Sequence, residues 1–476
     1  YMKKRICIGG AELADTELKF YNPAQNAMHT DFHPMRGLIN NKPYDFYMNN
    51  RLFKSNISLG VISPVGSEKK LEDFLDRLNK KHKVNYNVDY VIDYPGFQSV
   101  YGVGLSVPLI AEWALLDDKM LNKANLYQSC LNFGDQIKKK IEYLKSRDSV
   151  DVIIIYIPKE YELFTFFNDG NIHYDLHDYV KAFSVQRHIS TQFIREKTID
   201  SELDCQIAWA LSLAIYVKAG RTPWILSGLR TDTAFAGIGY SVDHIKTDNQ
   251  TLIGCSHIYG ADGQGLRYKL SKIKDVTFDS KNNPYLSENE AYQLGLNIKE
   301  LFFDSFKTLP QRVVIHKRFP FQKQEIDGLT KCLGSAGVKD IDLIEITLED
   351  RFRCFEYDRR LQIDGYPVRR GVCFAINENT AYLYTHGIAP SVKNANLRYI
   401  QGGKSIPAPL KIVKHYGNGD LAQIATEILG LSKMNWNSFG LYSKLPCTIQ
   451  SSNAIARVGW LLSQYEGVVY DYRNFM

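Results

Sequence analysis

Residues 151–158 read DVIIIYIP, and this stretch decides the fold of the N-terminal half of the chain. Its unbroken, β-branched apolar run is typical of a central parallel strand that is covered by helices on both faces. Residues 58–64, SLGVISP, predict a second buried strand, and residues 67–82 predict an amphipathic helix with Ser67 as its N-cap. Strand, helix and strand in succession predict an open α/β domain. In such domains ligands bind beyond the carboxyl ends of the strands.

Length and composition restrict the class of protein. A chain of 476 residues is too long for one ordinary core and suits two or three domains. Its 45% apolar and 23% charged residues are typical of a folded soluble protein, and a net charge of +6 is only weak support for a polyanionic partner. The eight cysteines show no CxxC pair, which indicates reduced thiols in a cytosolic protein.

The residues after the central strand include four side chains that suit a phosphate group. They are His177, Lys181, Gln192 and Lys218. His177 and Lys181 are four residues apart, so they share one face of a helix and can converge on one anion. Any one of these residues is equally typical of a solvated surface. Their order and spacing together indicate a pocket for a terminal phosphate.

This order of residues resembles the 5′-phosphate pocket in the MID domain of Argonaute proteins. In that family an aromatic residue or His, then Lys, Gln and a distal Lys grip the first nucleotide of a guide strand. The resemblance implies these roles for the four residues above. Residues 220–224, Gly-Arg-Thr-Pro-Trp, follow directly, as they do at the crossing from MID to PIWI in that family.

The second half of the chain mixes strands and helices. Residues 234–241 and 251–259 predict a hairpin, and residues 288–307 predict a long helix. Further strands are predicted at 312–319 and 342–347, a hairpin at 373–387, and helices that begin near Asp420 and Asn453. This succession predicts an RNase H-like layer, the fold of a PIWI domain.

The predicted fold class is therefore α/β, with a Rossmann-like MID domain followed by an RNase H-like PIWI domain. Residues 1–55 are predicted to be a β-rich lead-in of the MID lobe. The MID domain is assigned to residues 56–225 and the PIWI domain to residues 226–476.

The residues expected at a nuclease centre are changed. RNase H-like nucleases hold two divalent cations with three or four carboxylates or His. The family pattern Gly-Ile-Asp-Val-Ser here reads Gly237-Ile-Gly239-Tyr-Ser241, and the strand that matches the second Asp reads Ile315-His-Lys317-Arg. A glycine offers no ligand and an ammonium group repels Mg²⁺. We therefore expect no catalytic residues, no cutting of nucleic acid and no enzymatic activity in this chain.

Two aspartates near the lost ligand position leave one alternative open. Asp232 or Asp243 would have to replace the missing carboxylate, although both lie outside the aligned position.

Two late segments, 431–438 and 445–459, resemble PIWI segments that line the guide path. The resemblance implies candidate contacts to the guide or target backbone, and each has an alternative as a cap, a turn former or a surface charge: Thr191, Asn435, Asn437, Thr448 and Arg457. In the family the chain ends with its carboxylate in the 5′ pocket. The resemblance therefore implies that the Met476 carboxylate and Gln192 share a Mg²⁺ ion with the guide phosphate.

The length of the chain leaves no room for N and PAZ domains ahead of MID and PIWI, so it resembles a short prokaryotic Argonaute. That resemblance implies a guide RNA, complementary single-stranded DNA from a plasmid or phage, and a heterodimeric partner with an APAZ domain. The partner's effector would be a TIR or Sir2-like NADase, or a nuclease, that is activated in prokaryotic immunity and that oligomerises on activation. We expect a cytoplasmic protein of bacteria or archaea, in which base pairing supplies the specificity.

Two other functions remain open. A guide-directed nuclease with a non-standard metal site would cut a complementary strand in Mn²⁺ or Mg²⁺. An α/β enzyme for a small phosphorylated metabolite would bind a nucleotide monophosphate and gain nothing from a longer oligonucleotide. The sequence shows no Gly-rich phosphate loop that supports the second alternative.

Overall fold

The structure is a computed structural model that describes most of the chain. The described residues are 10–48, 53–84, 90–117, 121–147, 149–170, 172–202, 204–230, 232–242, 252–260, 267–357, 363–389, 400–401, 407–437, 443–459, 461–462 and 468–476. No helix among them is both long and apolar enough to cross a membrane.

The lead-in contains short strands and one helix. Its elements are β1 (Ala11–Glu12), β2 (Leu18–Asn22), β3 (Ala27–Asp31) and α1 (Pro34–Asn40). His33 caps α1 by accepting a hydrogen bond from the Arg36 backbone N–H, and Pro34 begins the helix, where its missing N–H costs nothing.

The N-terminal half alternates strands and helices. The strands are β4 (Asn56–Pro64), β5 (Gly104–Ser106), β6 (Ala114–Leu116), β7 (Val152–Ile157), β8 (Phe166–Asn168), β9 (His173–Asp175) and β10 (Ser190–Arg195). The helices are α2 (Glu68–Arg77), α3 (Phe97–Tyr101), α4 (Leu126–Lys145), α5 (Leu176–Val185), α6 (Glu196–Ile199) and α7 (Asp204–Lys218).

A parallel sheet organises this half. Its strand order is β10-β7-β4-β5, with β6 also paired to β4, and every pairing is parallel. Strand β7 is buried along its whole length: Ile153 and Ile155 face one core, and Ile154 and Tyr156 face another. The predicted central strand and open α/β layout are therefore confirmed. Ser67 lies at the N-cap of α2, as predicted, but its side chain makes no capping hydrogen bond.

The second half contains β11 (Ile225–Leu226), β12 (Thr233–Val242), β13 (Leu252–Gly260), β14 (Arg267–Ile273), β15 (Val276–Phe278), β16 (Pro284–Leu286), β17 (Arg312–Lys317), β18 (Asp340–Leu348), β19 (Phe355–Tyr357), β20 (Ile363–Pro367), β21 (Val372–Asn377), β22 (Thr380–Leu383), β23 (Gly387–Ile388), β24 (Ile400–Gln401), β25 (Leu410–Tyr416) and β26 (Val469–Asp471). Its helices are α8 (Glu288–Phe306), α9 (Lys323–Ser335), α10 (Leu421–Leu431) and α11 (Cys447–Gly459).

A mixed sheet of ten strands organises this half, in the order β1-β21-β22-β25-β18-β17-β12-β13-β14-β26. Strands β12, β17 and β18 run parallel, and the other neighbours are antiparallel. The predicted hairpin of β12 and β13 is confirmed, as are the long helix α8 and the strands β17 and β18. Helices α8 and α9 cover one face of this sheet, while α11 packs on the other face at β12.

The lead-in contacts both halves of the chain. In the second half, β1 pairs with β21 at the edge of the ten-stranded sheet and β2 pairs with β11. In the first half, α1 packs against α3, and His33 Nε2 is 2.7 Å from the Tyr90 carbonyl. The lead-in was expected to belong to the MID lobe. Its pairing with β21 of the second half was not predicted from the sequence. The domain boundaries at residues 55 and 225 stay predictions.

Candidate functional site

Two buried lysines converge on one main-chain oxygen. Lys181 of α5 and Lys218, the last residue of α7, donate hydrogen bonds to the Thr191 carbonyl at 3.0 and 2.9 Å. Their exposed fractions are only 1% and 6%. Both lysines lie in apolar helices, and helix α7 runs back along β10 so that its end reaches the strand's first residues.

The remaining partners of the two side-chain amines are oxygens of three residues, Asn474, Met476 and Gln192. Lys181 Nζ donates to the main-chain oxygens of Asn474 at 3.2 Å and Met476 at 2.7 Å. Lys218 Nζ donates to Gln192 Oε1 at 2.6 Å. Neither lysine forms an ion pair with a carboxylate side chain among the residues that the structure describes.

This arrangement shifts both lysines toward their neutral forms. Burial lowers the pKa of Lys181 from 10.5 to about 7. Burial, together with the adjacent positive charge of Lys181, lowers the pKa of Lys218 well below its ordinary value. Two buried amines that share a carbonyl, with no carboxylate side chain beside them among the described residues, form a site in which an anion would stabilise their protonated forms.

His177 lies beside this pair, but its polar contact is with another residue. Its Nδ1 is 3.2 Å from Asp178 Oδ1, its ring lies 5.4 Å from that of Phe193, and 40% of its side chain is exposed. Partial burial lowers the pKa of His177, so at neutral pH its ring is mostly uncharged. His177 therefore offers a surface and an N–H at the mouth of the site rather than a fixed positive charge.

Asp178 connects this site to the second half of the chain. Its Oδ1 is 3.0 Å from Nη2 of Arg457, which lies in the last turn of α11. Burial raises the pKa of Asp178, but the hydrogen bond from His177 and the charge of Arg457 outweigh burial, and the net pKa is lowered. Arg457, a predicted backbone contact, is 62% exposed and stands next to the candidate site.

The expected magnesium site does not fit the arrangement of donor atoms. The two oxygens proposed as ligands, Gln192 Oε1 and the Met476 main-chain oxygen, each accept a hydrogen bond from an ammonium group. A cation would compete with those two positive charges. Asp175, His177 and Asp178 do bring ligand atoms within 4.8 Å of one another, but Asp175 caps α5 and Asp178 is paired with Arg457.

The other predicted backbone contacts have internal partners. Asn435 Oδ1 accepts from the Asn437 backbone N–H at 3.0 Å, and its Nδ2 donates to Ser443 Oγ, so Asn435 forms a turn. Asn437 is exposed. Thr448 is fully buried, with its hydroxyl 2.8 Å from His316 Nδ1, so its side chain is not accessible to a nucleic acid in this conformation.

Two features of the candidate site could not be found from the sequence. Thr191 contributes its main-chain carbonyl, while its hydroxyl is buried without a hydrogen-bond partner in the described part of the chain. Asn474 contributes a main-chain oxygen to Lys181. Main-chain oxygens are present at every residue, so no pattern of side chains marks them.

The position of the site within the sheet also corrects an expectation. Thr191 and Gln192 are the second and third residues of β10 and pair with Ile153 and Ile154 near the start of β7. The site therefore lies at the amino ends of these parallel strands, whereas the sequence predicted the carboxyl ends. The reason is that α5 and α7 both direct their lysines back toward the start of β10.

At the position of the lost nuclease ligand, β12 lies directly against α11. A Cβ at Gly239 would overlap the Ser452 carbonyl oxygen and lie 2.6 Å from its carbonyl carbon. A Cβ at Gly237 would lie 2.7 Å from the carbonyl carbon of Thr448. Glycine is therefore required at both positions by the close approach of the two backbones.

Lys317 does not face Gly239, which corrects its predicted placement. Gly237 pairs with His316 across the parallel strands, so Lys317 points to the opposite face. There its Nζ lies 2.6 and 2.7 Å from the two carboxylate oxygens of Glu325. On the Gly239 face β17 instead presents His316, which is fully buried and has its Nδ1 2.8 Å from the Thr448 hydroxyl.

One of the two alternative carboxylates, Asp232, is paired with another residue. Its Oδ2 is 2.8 Å from Nη2 of Arg230, and Asp232 precedes β12. Asp243 lies outside the described residues.

Comparisons with known proteins show similarity to an Argonaute protein. No protein-family model matches the chain. A curated protein named Protein argonaute, from Aquifex aeolicus (strain VF5), is 22% identical over 324 residues, or 67% of this chain. It spans 40% of the length of that curated Argonaute.

Solved Argonaute structures share the fold. The structure of Clostridium butyricum Argonaute bound to a guide DNA (5′ deoxycytidine) and a 19-mer target DNA superposes with a TM-score of 0.67 at 17% identity, covering 98% of this chain and 55% of the other. The crystal structure of A. aeolicus Argonaute gives a TM-score of 0.60 at 18% identity, with the same coverage. The predicted fold class, a MID domain followed by an RNase H-like PIWI domain, is confirmed.

Proposed function

We propose that this chain binds the 5′-phosphate of a guide strand between Lys181 and Lys218, and that the guide then pairs with a complementary strand. The similar C. butyricum protein was solved with a guide DNA and a target DNA, and an A. aeolicus structure contains an externally bound siRNA. For this chain we propose an RNA guide and a single-stranded DNA target, as in the short prokaryotic Argonautes that it resembles.

The lysine pair is the observation that carries this proposal. The two side-chain amines share the Thr191 carbonyl, and neither is paired with a carboxylate side chain among the described residues, so an anion that enters the pocket would favour their charged forms. A terminal phosphate carries a charge of roughly −1.5 to −2 at neutral pH, and it accepts several charge-assisted hydrogen bonds. The pocket therefore favours the end of a strand over an internal phosphodiester.

We propose further that the chain does not cut its target. The close packing of Gly239 against Ser452 leaves no volume for a carboxylate on that face, and the neighbouring strand presents the buried His316, which is bonded to Thr448, on the same face. A two-metal mechanism requires several oxygen ligands, which these residues do not supply. The chain would then act as a sensor rather than as a nuclease.

A sensor without chemistry of its own requires a second protein to produce an effect. We propose a partner with an APAZ domain and an effector, either a TIR or Sir2-like NADase or a nuclease, that is activated when target DNA pairs with the guide. In this proposal the complex works in the cytoplasm of a bacterium or archaeon, in immunity against plasmids and phages. The proposal rests on the family resemblance and on the close packing at Gly239, which leaves no volume for a carboxylate.

A binding comparison tests the phosphate pocket directly. The variants Lys181→Met and Lys218→Met are measured against matched 5′-phosphorylated and 5′-hydroxyl oligonucleotides. We expect each variant to lose affinity for the phosphorylated strand by about tenfold or more, with little loss for the hydroxyl strand. Lys139→Met, at an exposed position of α4, removes the same charge and serves as the control.

Equal losses for both oligonucleotides would show that the lysines do not recognise the phosphate. The same assay tests the alternative of a small phosphorylated metabolite. A nucleotide monophosphate that binds as tightly as the full oligonucleotide would favour that alternative over a guide.

A co-expression experiment tests the proposed role of the partner. The chain is purified with its genomic neighbour, and bound nucleic acid is extracted and digested with RNase or DNase. Short RNA with 5′-phosphates, followed by NAD loss or DNA cleavage on adding complementary DNA, would support the sensor. Absence of any bound or bindable strand would refute it.

A further inference from the structure

A buried carboxylate of the lead-in lies next to the end of helix α7. Asp45 belongs to the short 3-10 helix Tyr44–Met48, and only 3% of its surface is exposed. Its Oδ1 accepts a hydrogen bond from the Tyr216 hydroxyl at 2.6 Å. Tyr216 is fully buried and comes two residues before Lys218 in α7. The lead-in therefore holds the last turn of the helix that carries one of the two pocket lysines.

The same carboxylate holds the turn that follows α7. Its Oδ2 accepts a hydrogen bond from the Thr222 backbone N–H at 2.7 Å, and the Asp45 backbone N–H donates to the Thr222 carbonyl at 3.4 Å. Burying a carboxylate is costly unless its oxygens accept hydrogen bonds, and here the tyrosine hydroxyl and the backbone N–H supply one to each oxygen. These bonds connect Asp45 to both sides of the bend at which the chain leaves α7.

Thr222 connects this carboxylate to residues 474–476, the C-terminal segment. Its hydroxyl oxygen accepts a hydrogen bond from Arg473 Nη2 at 3.1 Å. Arg473 is also held by Asp471, whose Oδ2 is 3.2 Å from Arg473 Nη1. The next residue along the chain, Asn474, presents its main-chain oxygen to Lys181. A continuous series of contacts thus leads from the lead-in to the residues beside the second pocket lysine.

The two pocket lysines come from different helices, so the shape of the site depends on how α5, α7 and the C-terminal segment are held. Anion recognition needs several well-aligned hydrogen bonds at once, and a shift of about 1 Å in the groups that make them weakens binding. We infer that Asp45 is a positioning residue for the phosphate pocket: it holds the end of α7 through Tyr216 and the C-terminal segment through Thr222. This inference rests on the proposed function.

Two substitutions each interrupt one of these connections and leave both pocket lysines in place. Tyr216→Phe removes the hydroxyl that donates to Asp45, and Thr222→Val removes the hydroxyl that accepts from Arg473. We expect each variant to bind a 5′-phosphorylated RNA oligonucleotide about three- to tenfold more weakly than the wild-type chain does, with unchanged binding of the 5′-hydroxyl form. Thr222→Ser keeps a hydroxyl at this position and should retain the wild-type affinity for both.

Two controls make the same chemical changes elsewhere in the chain. Tyr285→Phe removes the hydroxyl of a buried tyrosine that donates to another aspartate, Asp279, at 3.2 Å. Thr385→Val removes the hydroxyl of a buried threonine that donates to the Lys444 carbonyl at 2.7 Å. Because these hydroxyls bond to other parts of the chain, we expect both controls to keep the wild-type preference for the 5′-phosphate, whatever stability they lose in denaturant unfolding.

The ratio of the two affinities separates positioning from stability. If Tyr216→Phe and Thr222→Val keep the wild-type ratio, or lose affinity for both oligonucleotides equally, the role of Asp45 is structural and the inference is overturned. A wild-type chain that prefers the 5′-phosphate, and loses that preference in Lys181→Met but not in these two variants, refutes the inference alone. A wild-type chain without the preference refutes the proposed function and the inference together.

Discussion

Gly239 of β12 lies against the main chain of Ser452 in α11, so closely that a Cβ would overlap the Ser452 carbonyl oxygen. Strand and helix thus meet backbone to backbone, and the volume that a metal-binding side chain needs is filled by the helix. A carboxylate at Gly239 would therefore require the strand and the helix to move apart as well as a change of one residue.

Placing a carboxylate at position 239 should therefore not produce a working nuclease site. We expect Gly239→Asp to lower the free energy of unfolding by about 2 kcal/mol or more, because it forces an overlap and buries a charge. We also expect no cutting of a complementary strand in Mg²⁺ or Mn²⁺. Denaturant unfolding and a labelled-target assay measure the two effects. Gly334→Asp is the control, since a Cβ at Gly334 meets nothing within 4 Å. A stable Gly239→Asp variant that cuts its target would contradict this account of the site.

The buried ion pair of Lys317 and Glu325 predicts a large loss of stability when one partner alone is removed. These residues are 0% and 1% exposed, and burial lowers the pKa of Lys317 to about 8 even though Glu325 opposes that shift. Lys317→Met should destabilise the chain by about 3–5 kcal/mol, because Glu325 is left buried without its partner. The double variant with Glu325→Gln should regain most of that loss in thermal or denaturant unfolding. A single variant as stable as the wild type would mean that Glu325 is not charged.

Guide binding should depend on pH. In the free chain the pKa of Lys181 is about 7, and a bound phosphate raises it, so binding takes up a proton above that pH. The affinity for a 5′-phosphorylated strand should therefore fall as the pH rises from about 7 to about 9, by up to about tenfold per pH unit for each lysine that takes up a proton. Titrations across this range with Lys181→Met should give a shallower slope. An affinity that rises with pH would contradict the assignment.

Magnesium should matter little at this pocket. The oxygens of Gln192 and Met476 already accept hydrogen bonds from ammonium groups, which supply the positive charge that a metal would bring. We expect EDTA to change the affinity for a 5′-phosphorylated oligonucleotide by less than about threefold, a small effect in free energy. A loss of tenfold or more that Mg²⁺ reverses would show that the ion binds there after all.

Much of the architecture follows from patterns that are local in the sequence. The apolar run at β7 and the alternation of strands and helices predicted the parallel sheet, and α8 was predicted to within one residue of its end. The convergence of Lys181 and Lys218 also followed from spacing together with the family resemblance. These predictions succeed because periodicity and side-chain type act over a few residues.

Other features depend on contacts between distant parts of the chain. The strand register determines on which face of the sheet Lys317 lies, and a register shift of one residue would place it on the opposite face. The pocket lies at the amino end of β10 because α7 returns there, and Asn474 contributes an oxygen that every residue possesses. The pairing of β1 with β21 joins residues some 360 positions apart. None of these relationships can be predicted from a short stretch of sequence.

The order of the elements along the chain has a consequence for synthesis. Residues 469–476 follow the other described elements, so they emerge from the ribosome after Lys181 and β14. Until they emerge, Lys181 lacks two of its three oxygen partners and β14 lacks its neighbour β26. The nascent chain therefore presents a more open pocket until these residues have joined the fold.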